Sequence, residues 1–283
     1  MSDSGKKIRL TEEEINEIKR QARAKLGECK KAQDIIGQQI FSILSLYARV
    51  FYYPLGKMGP WGITYIAGME NTKSTEKPFV AINTSIPIDE QVFAAAHELY
   101  HIWFDNKAEA LSSSILDEFN GEEKYTDISE LKASRFAAEF LVDEDLLFSE
   151  MKLYSIIPGK ITIKNILTLA SLFTVPYKTM VKRLHEVGAI SSEERREYLN
   201  KSENAINQLR KRYSIPIPET DNRIVLDNLV ELAVSSYEKK QITYEKLEYL
   251  LSMSNLKPAD VGISEPSLFI PPSDDVLDGI MEE

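Results

Sequence analysis

Apolar residues recur at helical spacing from the start of the chain. Thr11 and Glu14 form a capping box, and Ile15, Ile18, Ala22 and Leu26 follow as a stripe. Gly27 is expected to interrupt that helix. A second helical stretch is predicted over about 32–50, with Ile35, Ile36, Ile40, Ile43 and Leu44 on its apolar face. The period then changes. Pro54, Gly56, Gly59, Pro60 and Gly62 punctuate a loop, and 63–67 and 79–83 read as strands rich in Ile, Val, Tyr and Phe. The polar stretch 71–77 between them makes an antiparallel hairpin the expected pairing.

After Pro87 a helix is predicted to about Phe104, with Asp89 and Glu90 in its first turn, where the helix dipole favours carboxylates. A looser segment over 106–126 precedes a helix from about Ser129 to Val142, and Asp143 can cap a further one through Met151. Helices over 163–173 and 177–187 flank the turn Thr174-Val175-Pro176, a helix-turn-helix-like pattern closed by Gly188. The stretch 213–221, with Pro216 and Pro218, reads as a linker to helical patterns at about 223–238 and 243–253. The tail 264–283 is expected to be disordered, with Leu268, Phe269, Ile270, Val276, Leu277 and Ile280 as candidate docking residues.

Composition fits this picture of a folded chain: 283 residues, 43% hydrophobic and 28% charged. The net charge of −10 disfavours non-specific nucleic-acid binding by the whole surface. The tail alone contributes six acids (Glu265, Asp274, Asp275, Asp278, Glu282 and Glu283) and no base, so the rest is only mildly acidic. One cysteine, Cys29, excludes an internal disulfide. With no apolar run of membrane-spanning length and no signal-peptide pattern, a cytoplasmic protein without membrane partners is expected.

The chemistry is concentrated in His97-Glu98-Leu99-Tyr100-His101. At about 100° per residue, both imidazoles and the Glu98 carboxylate share one helix face. Val92, Ala95, Ala96, Leu99, Ile102 and Trp103 lie opposite, able to bury the helix. Zinc favours three protein ligands and one open position in catalytic sites. The chain has only one other histidine, His185, so a carboxylate is expected as third ligand. Glu130 and Glu139 are the candidates. Ala133, Ser134 and Ala137 make a small-residue face with Glu130, and helical phase favours it. Glu98 is then the general base over the open position. Tyr65, Tyr100, Tyr125 and His185 are candidate oxyanion donors.

These blocks resemble the ImmA/IrrE metallopeptidases. The family's "FtlAHELgHll" segment matches 93–103, its "ExxAnxFAaeLLmP" segment matches 130–143, and its "LAxxFxVSxxamxxRLxxLGlI" segment matches from Leu169-Ala170 to Ile190. The resemblance implies that Glu130 is the third zinc ligand. It also implies site-specific cleavage of a helix-turn-helix transcriptional repressor, a protein substrate. Tyr100 stands where the family usually has Gly, Ser134 for Asn, Asp143 for Pro and Pro176 for Ser; the Tyr100 ring is expected near the metal face, where it would narrow the cleft or change substrate access. Peptidases of this broad design bind substrate as an added strand, which makes 79–83 the candidate platform.

The expected fold is α+β and mostly helical. A small antiparallel sheet packs against the HExxH helix (gluzincin-like), beside the helix-turn-helix-like segment and C-terminal helices. The expected division is a metallopeptidase domain over 1–200, containing the helix-turn-helix-like segment 162–190, and a C-terminal helical region with an acidic tail over 201–283. The alternative function is a DNA- or partner-binding regulator with a structural metal site. Lys178, Thr179, Lys182 and Arg183 are the residues read as solvent-facing for such DNA contact. DNA is not favoured as a partner, because the apolar residues of 163–187 suit packing on a peptidase core and no strong basic stripe accompanies them.

Overall fold

The computed structural model describes residues 9–65, 77–105, 111–113 (backbone only) and 128–265. It divides into two compact units, Met1–Val225 and Leu226–Glu283. In the first, α1 (Glu12–Glu28) begins at the Thr11–Glu14 capping box and buries Ile18, Ala22 and Leu26. Gly27 does not interrupt it. A short 3-10 turn (Gly37–Gln39) leads into α2 (Ile40–Tyr47).

The helix expected to reach residue 50 stops at Tyr47. Arg49–Tyr53 is instead a strand, β1. The run Val50-Phe51-Tyr52-Tyr53 has the β-branched and aromatic character of a half-buried pleat, and tertiary pairing selects it over the helical period. The next strands are β2 (Gly62–Tyr65) and β3 (Phe79–Asn83). They pair antiparallel as expected, with Gly62 opposite Ile82 and Tyr65 opposite Phe79. The sheet as a whole is mixed rather than antiparallel, because β1 pairs with β3 in parallel, Arg49 opposite Phe79 through Tyr53 opposite Asn83. β3 is therefore interior and has no edge for an added strand. On the far side of β2 lies β4 (Leu111–Ser113), also antiparallel. A two-residue strand, β5 (Val225–Leu226), flanks β1, giving the order β4-β2-β3-β1-β5.

Helix α3 (Ile88–Phe104) packs on this sheet through a continuous buried run from Gln91 to His101. Helix α4 (Ile128–Leu141) packs along α3 and under α1, presenting Ala133, Phe136, Ala137 and Phe140 to the core. Asp143 caps α5 (Glu144–Leu153) by accepting from the amides of Asp145 and Leu146. Next come α6 (Ile163–Phe173) and α7 (Tyr177–Glu186), joined through Thr174 at φ 54°. Leu167, Ala170, Phe173, Val175, Met180, Val181 and Leu184 are all buried.

Two residues read as solvent-facing are not: Thr179 and Arg183 are buried, Arg183 completely. Its guanidinium holds Glu139 of α4 in a bidentate pair, bonds the Val142 carbonyl at 2.8 Å and reaches Glu186. The α6–α7 pair is thereby tied to the core.

Helices α8 (Ser192–Leu199) and α9 (Glu203–Arg212) follow. The stretch read as a linker is docked on the first unit. The Glu219 carbonyl accepts from the Ile88 amide, the Asn222 amide bonds the Thr84 carbonyl, and Arg223 stacks on Phe41 and Tyr52. This strap holds the start of α3. Asp89 and Glu90, in the first turn as expected, are largely buried there. Burial pushes the Asp89 carboxyl up to about 6 against the pull of Arg210, and burial with Asp89 and Glu203 pushes Glu90 up to about 8. Desolvation outweighs the helix dipole at both.

In the second unit, α10 (Leu229–Glu238) and α11 (Tyr244–Ser252) close around Ala233, Leu247 and Leu251. The tail from 266 onward, with its candidate docking residues, lies outside the described residues, as do Tyr125 and most of 106–127. Among the described residues, no helix is long and apolar enough to cross a membrane.

Candidate metal centre

His97 and His101 lie one helical turn apart on α3, and Glu130 enters from the first turn of α4. The close α3–α4 packing that brings them together rests on the small residues Ala133, Ser134 and Ala137 of α4. His97 Nε2 is 3.2 Å from His101 Nε2 and 3.1 Å from Glu130 Oε2, while His101 Nε2 is 3.5 Å from Glu130 Oε1. Bonds of about 2.0–2.1 Å in a tetrahedron place adjacent donors about 3.3 Å apart. The three donors therefore have the spacing of three corners of a zinc-sized tetrahedron. Both histidines are fully buried. Among the described residues, this is the one group of three His, Cys, Asp or Glu side chains close enough to hold a metal ion.

The outer nitrogens fit the same reading. His101 Nδ1 is 3.3 Å from the Asp105 carboxylate, which also accepts from the Ser129 hydroxyl. His97 Nδ1 is 3.3 Å from Ser134 Oγ. Such partners fix the tautomer that leaves Nε2 as a lone-pair donor. Burial, with the neighbouring His97, lowers the His101 pKa and favours the neutral imidazole that a metal needs. For Glu130, burial works against ionisation, but the hydrogen bond from His97 and the electrostatic pull of the two histidines outweigh it and hold the pKa below normal.

Glu98 does not join the triad. It is fully buried against β2, and its Oε2 accepts from Thr64 Oγ1 at 2.6 Å. Alternation along the strand puts Gly62 on the same face as Thr64. A Cβ on Gly62 would lie 2.4 Å from Glu98 Oε1. Gly62 is therefore required for space, not for its backbone angles, and with Thr64 it forms a slot for the carboxylate.

Of the two candidate third ligands, Glu130 meets the histidines, and Glu139 is engaged by Arg135 and Arg183. The Tyr100 ring stands edge-on to the His101 imidazole, their centroids 5.9 Å apart. It packs against Phe104 and Phe136 and lines a shallow pocket under α1 with Glu14 and Lys132. Burial, with Asp105 and Glu14 nearby, pushes its hydroxyl up to about 12. His185 bonds Ser192 on α8 and is not among the three clustered donors. Of the four oxyanion candidates, Tyr65 at the exposed end of β2 is the one the described structure leaves beside the site strand.

Gly62, Thr64, Asp105, Ser129 and Ser134 were not singled out by sequence reasoning for these roles. Asp105 could have been found from its i+4 spacing to His101, and Ser134 from its i+4 spacing to Glu130. Gly62 and Thr64 carry only the period-2 pattern of a strand that precedes the motif.

No curated protein matches the chain. The family model for the IrrE N-terminal-like domain matches residues 45–185, from the end of α2 to the end of α7, and this span contains the histidine pair, Glu98 and Glu130. With the fold and this donor set on that span, the chain belongs to the ImmA/IrrE peptidase family.

Proposed function

We propose that the protein is a zinc-dependent endopeptidase that cleaves a helix-turn-helix transcriptional repressor in the cytoplasm and so relieves repression. The observation that carries this reading is the buried Glu98, held in a slot of its own beside a converging His97–His101–Glu130 set. A purely structural site has no use for such a carboxylate, so the alternative of a DNA-binding regulator has less support. The burial of Arg183 and Thr179 weakens that alternative further.

His97, His101 and Glu130 would hold zinc, which supplies Lewis acidity toward a peptide carbonyl and an attacking water. Glu98 takes the proton from that water and passes it to the leaving amine. The Thr64 hydroxyl fixes Oε2, so the carboxylate is presented in one orientation. Asp105 and Ser134 hold the two imidazoles by their outer nitrogens. A substrate strand can add along β4, which stands at the sheet end next to β2. The repressor substrate is carried over from the family resemblance.

The test is to measure zinc in the purified protein and compare cleavage of a co-encoded repressor by wild type and Glu98→Gln. Zinc is expected in both, with cleavage slowed by about 10²–10⁴-fold in the variant. Equal cleavage by the two proteins with zinc retained would sink the peptidase reading.

A further inference from the structure

The first turns of α3, α7 and α9 meet around a cavity of about 310 Å³, with Ile217 and Pro218 along one wall. Its volume lies within the range of small-molecule sites, about 300–1,000 Å³. The charged lining includes both signs. Asp89 and Glu90 come from α3 and Glu203 from α9, while Arg210 reaches in from the far end of α9.

Two of these opposite charges are buried without pairing. Arg210 is 3% exposed and Asp89 7%. The Arg210 guanidinium donates from Nη1 to the Pro216 carbonyl at 2.8 Å. Among the described residues no carboxylate stands within the roughly 4 Å of an ion pair from it, although the Asp89 charge acts on it across the cavity. Asp89 Oδ1 accepts from the Glu90 amide at 3.1 Å and has no basic side chain at ion-pair distance. Arg183 shows how the fold treats a guanidinium buried for structure alone: Glu139 holds it in a bidentate pair and Glu186 stands beside it. A buried charge without such a partner is costly. Here a guanidinium and a carboxylate look onto one cavity from beyond contact, which is the arrangement that a molecule carrying both charges bridges.

We infer that this cavity binds a free α-amino acid with an apolar side chain, its carboxylate on Arg210 and its ammonium on Asp89 and Glu90. The side chain lies on Tyr177, Ile206 and Ile217, which supply the apolar part of the lining. Helix starts favour negative charge, so the three that meet here add to the hold on the carboxylate. Burial, with Asp89 and Glu203 beside it, raises Glu90 to about 8, and a bound ammonium offsets that repulsion. The assignment depends on neither metal nor cleavage.

Calorimetric titration of the full chain with L-leucine, on metal-free and on zinc-loaded protein, tests the proposal. One saturable site of the same affinity is expected in both. 4-Methylpentanoate lacks the ammonium and isoamylamine lacks the carboxylate, and each should bind at least about tenfold more weakly, the loss expected from one charge-assisted contact. Asp89→Asn should weaken leucine binding by a similar factor. So should Arg210→Gln, whose amide can still donate to the Pro216 carbonyl. Circular dichroism verifies that each variant folds, and if one does not, the two analogues decide the matter on the wild-type protein. Absence of saturable leucine binding, or an analogue that binds as tightly as leucine, would overturn the proposal. Leucine bound equally by both folded variants, or bound only when zinc is present, would place the ligand elsewhere and overturn it as well.

Discussion

Helix α4 carries two glutamates nine residues apart, and its two ends surround them with different chemistry. At the C-terminal end Glu139 is enclosed by Arg135 and Arg183, both permanently charged, and Glu186 completes a balanced ionic quartet. At the N-terminal end Glu130 faces two imidazoles, one of them with its pKa lowered by burial. Nothing in the triad itself carries a fixed positive charge. One glutamate finds its cations within the chain, and the other stands with two imidazoles in a group that could hold a metal ion. Proximity of a carboxylate to basic groups is common to both ends; the identity of the base separates a structural pair from a ligand set.

The contrast breaks most sharply if both glutamates are removed in turn. Glu130→Ala is expected to lose metal affinity by more than the about 10–100-fold typical of outer-shell changes. Glu139→Ala should retain stoichiometric zinc by metal analysis of the dialysed protein. Equal zinc loss in the two would erase the distinction drawn between the ends of α4.

The ionic end has its own expected signature. Arg183→Met leaves Glu139 buried without its bidentate partner and should cost about 3–5 kcal/mol by denaturant titration. Adding Glu139→Gln should recover a large part of that loss, because the stranded charge is removed with its partner. If Arg183→Met alone is neutral, the quartet does not hold α7 to α4.

At the metal end the next effect is geometric. Gly62→Ala places a methyl 2.4 Å from Glu98 Oε1 and must displace the carboxylate. A displacement near 1 Å can cost about 10²-fold in rate. Cleavage should fall by that order while zinc content stays unchanged. A variant as active as wild type would show that the slot does not position Glu98.

The smallest effect belongs to the start of α3, where no charge partner offsets burial as fully as at either end of α4. Glu90 stays protonated in the fold up to about pH 8, whereas its ordinary value is 4.5. Between these values the unfolded chain holds fewer protons than the folded one, so stability falls as pH rises through that window. Glu90→Gln should flatten the slope. Its melting midpoint should exceed that of wild type by about 2–5 °C near pH 8 and match it near pH 4.5. Parallel curves for the two proteins would show that Glu90 ionises normally in the fold.

Much of this site was legible because its spacing is local. His97, Glu98 and His101 fall on one helix, where 3.6 residues per turn fixes their phase before any packing. The small-residue face around Glu130 was equally readable, and it is Glu130 that lies beside the histidines while Glu139 lies beside Arg183. The illegible parts depend on partners distant in sequence. Thr64 reaches Glu98 across 34 residues and Arg183 reaches Glu139 across 44. Tyr100 was singled out only because it stands where the family usually has Gly, and its contacts with Phe104 and Phe136 could not be read from that substitution. The parallel strand β1 was hidden because the helical stretch was carried to Val50 and the short run after it was not read as an element; pairing with β3 defines it.

The sequence by itself determined a candidate donor set and its helical face, because residue identity and short-range periodicity carry that information. Tertiary structure decided which carboxylate is neutralised by arginine and which is presented to the histidines. It also decided that Gly62 and Thr64 hold Glu98, and that the apparent linker straps down α3. Each of these depends on long-range packing, which brings together side chains that no local spacing relates.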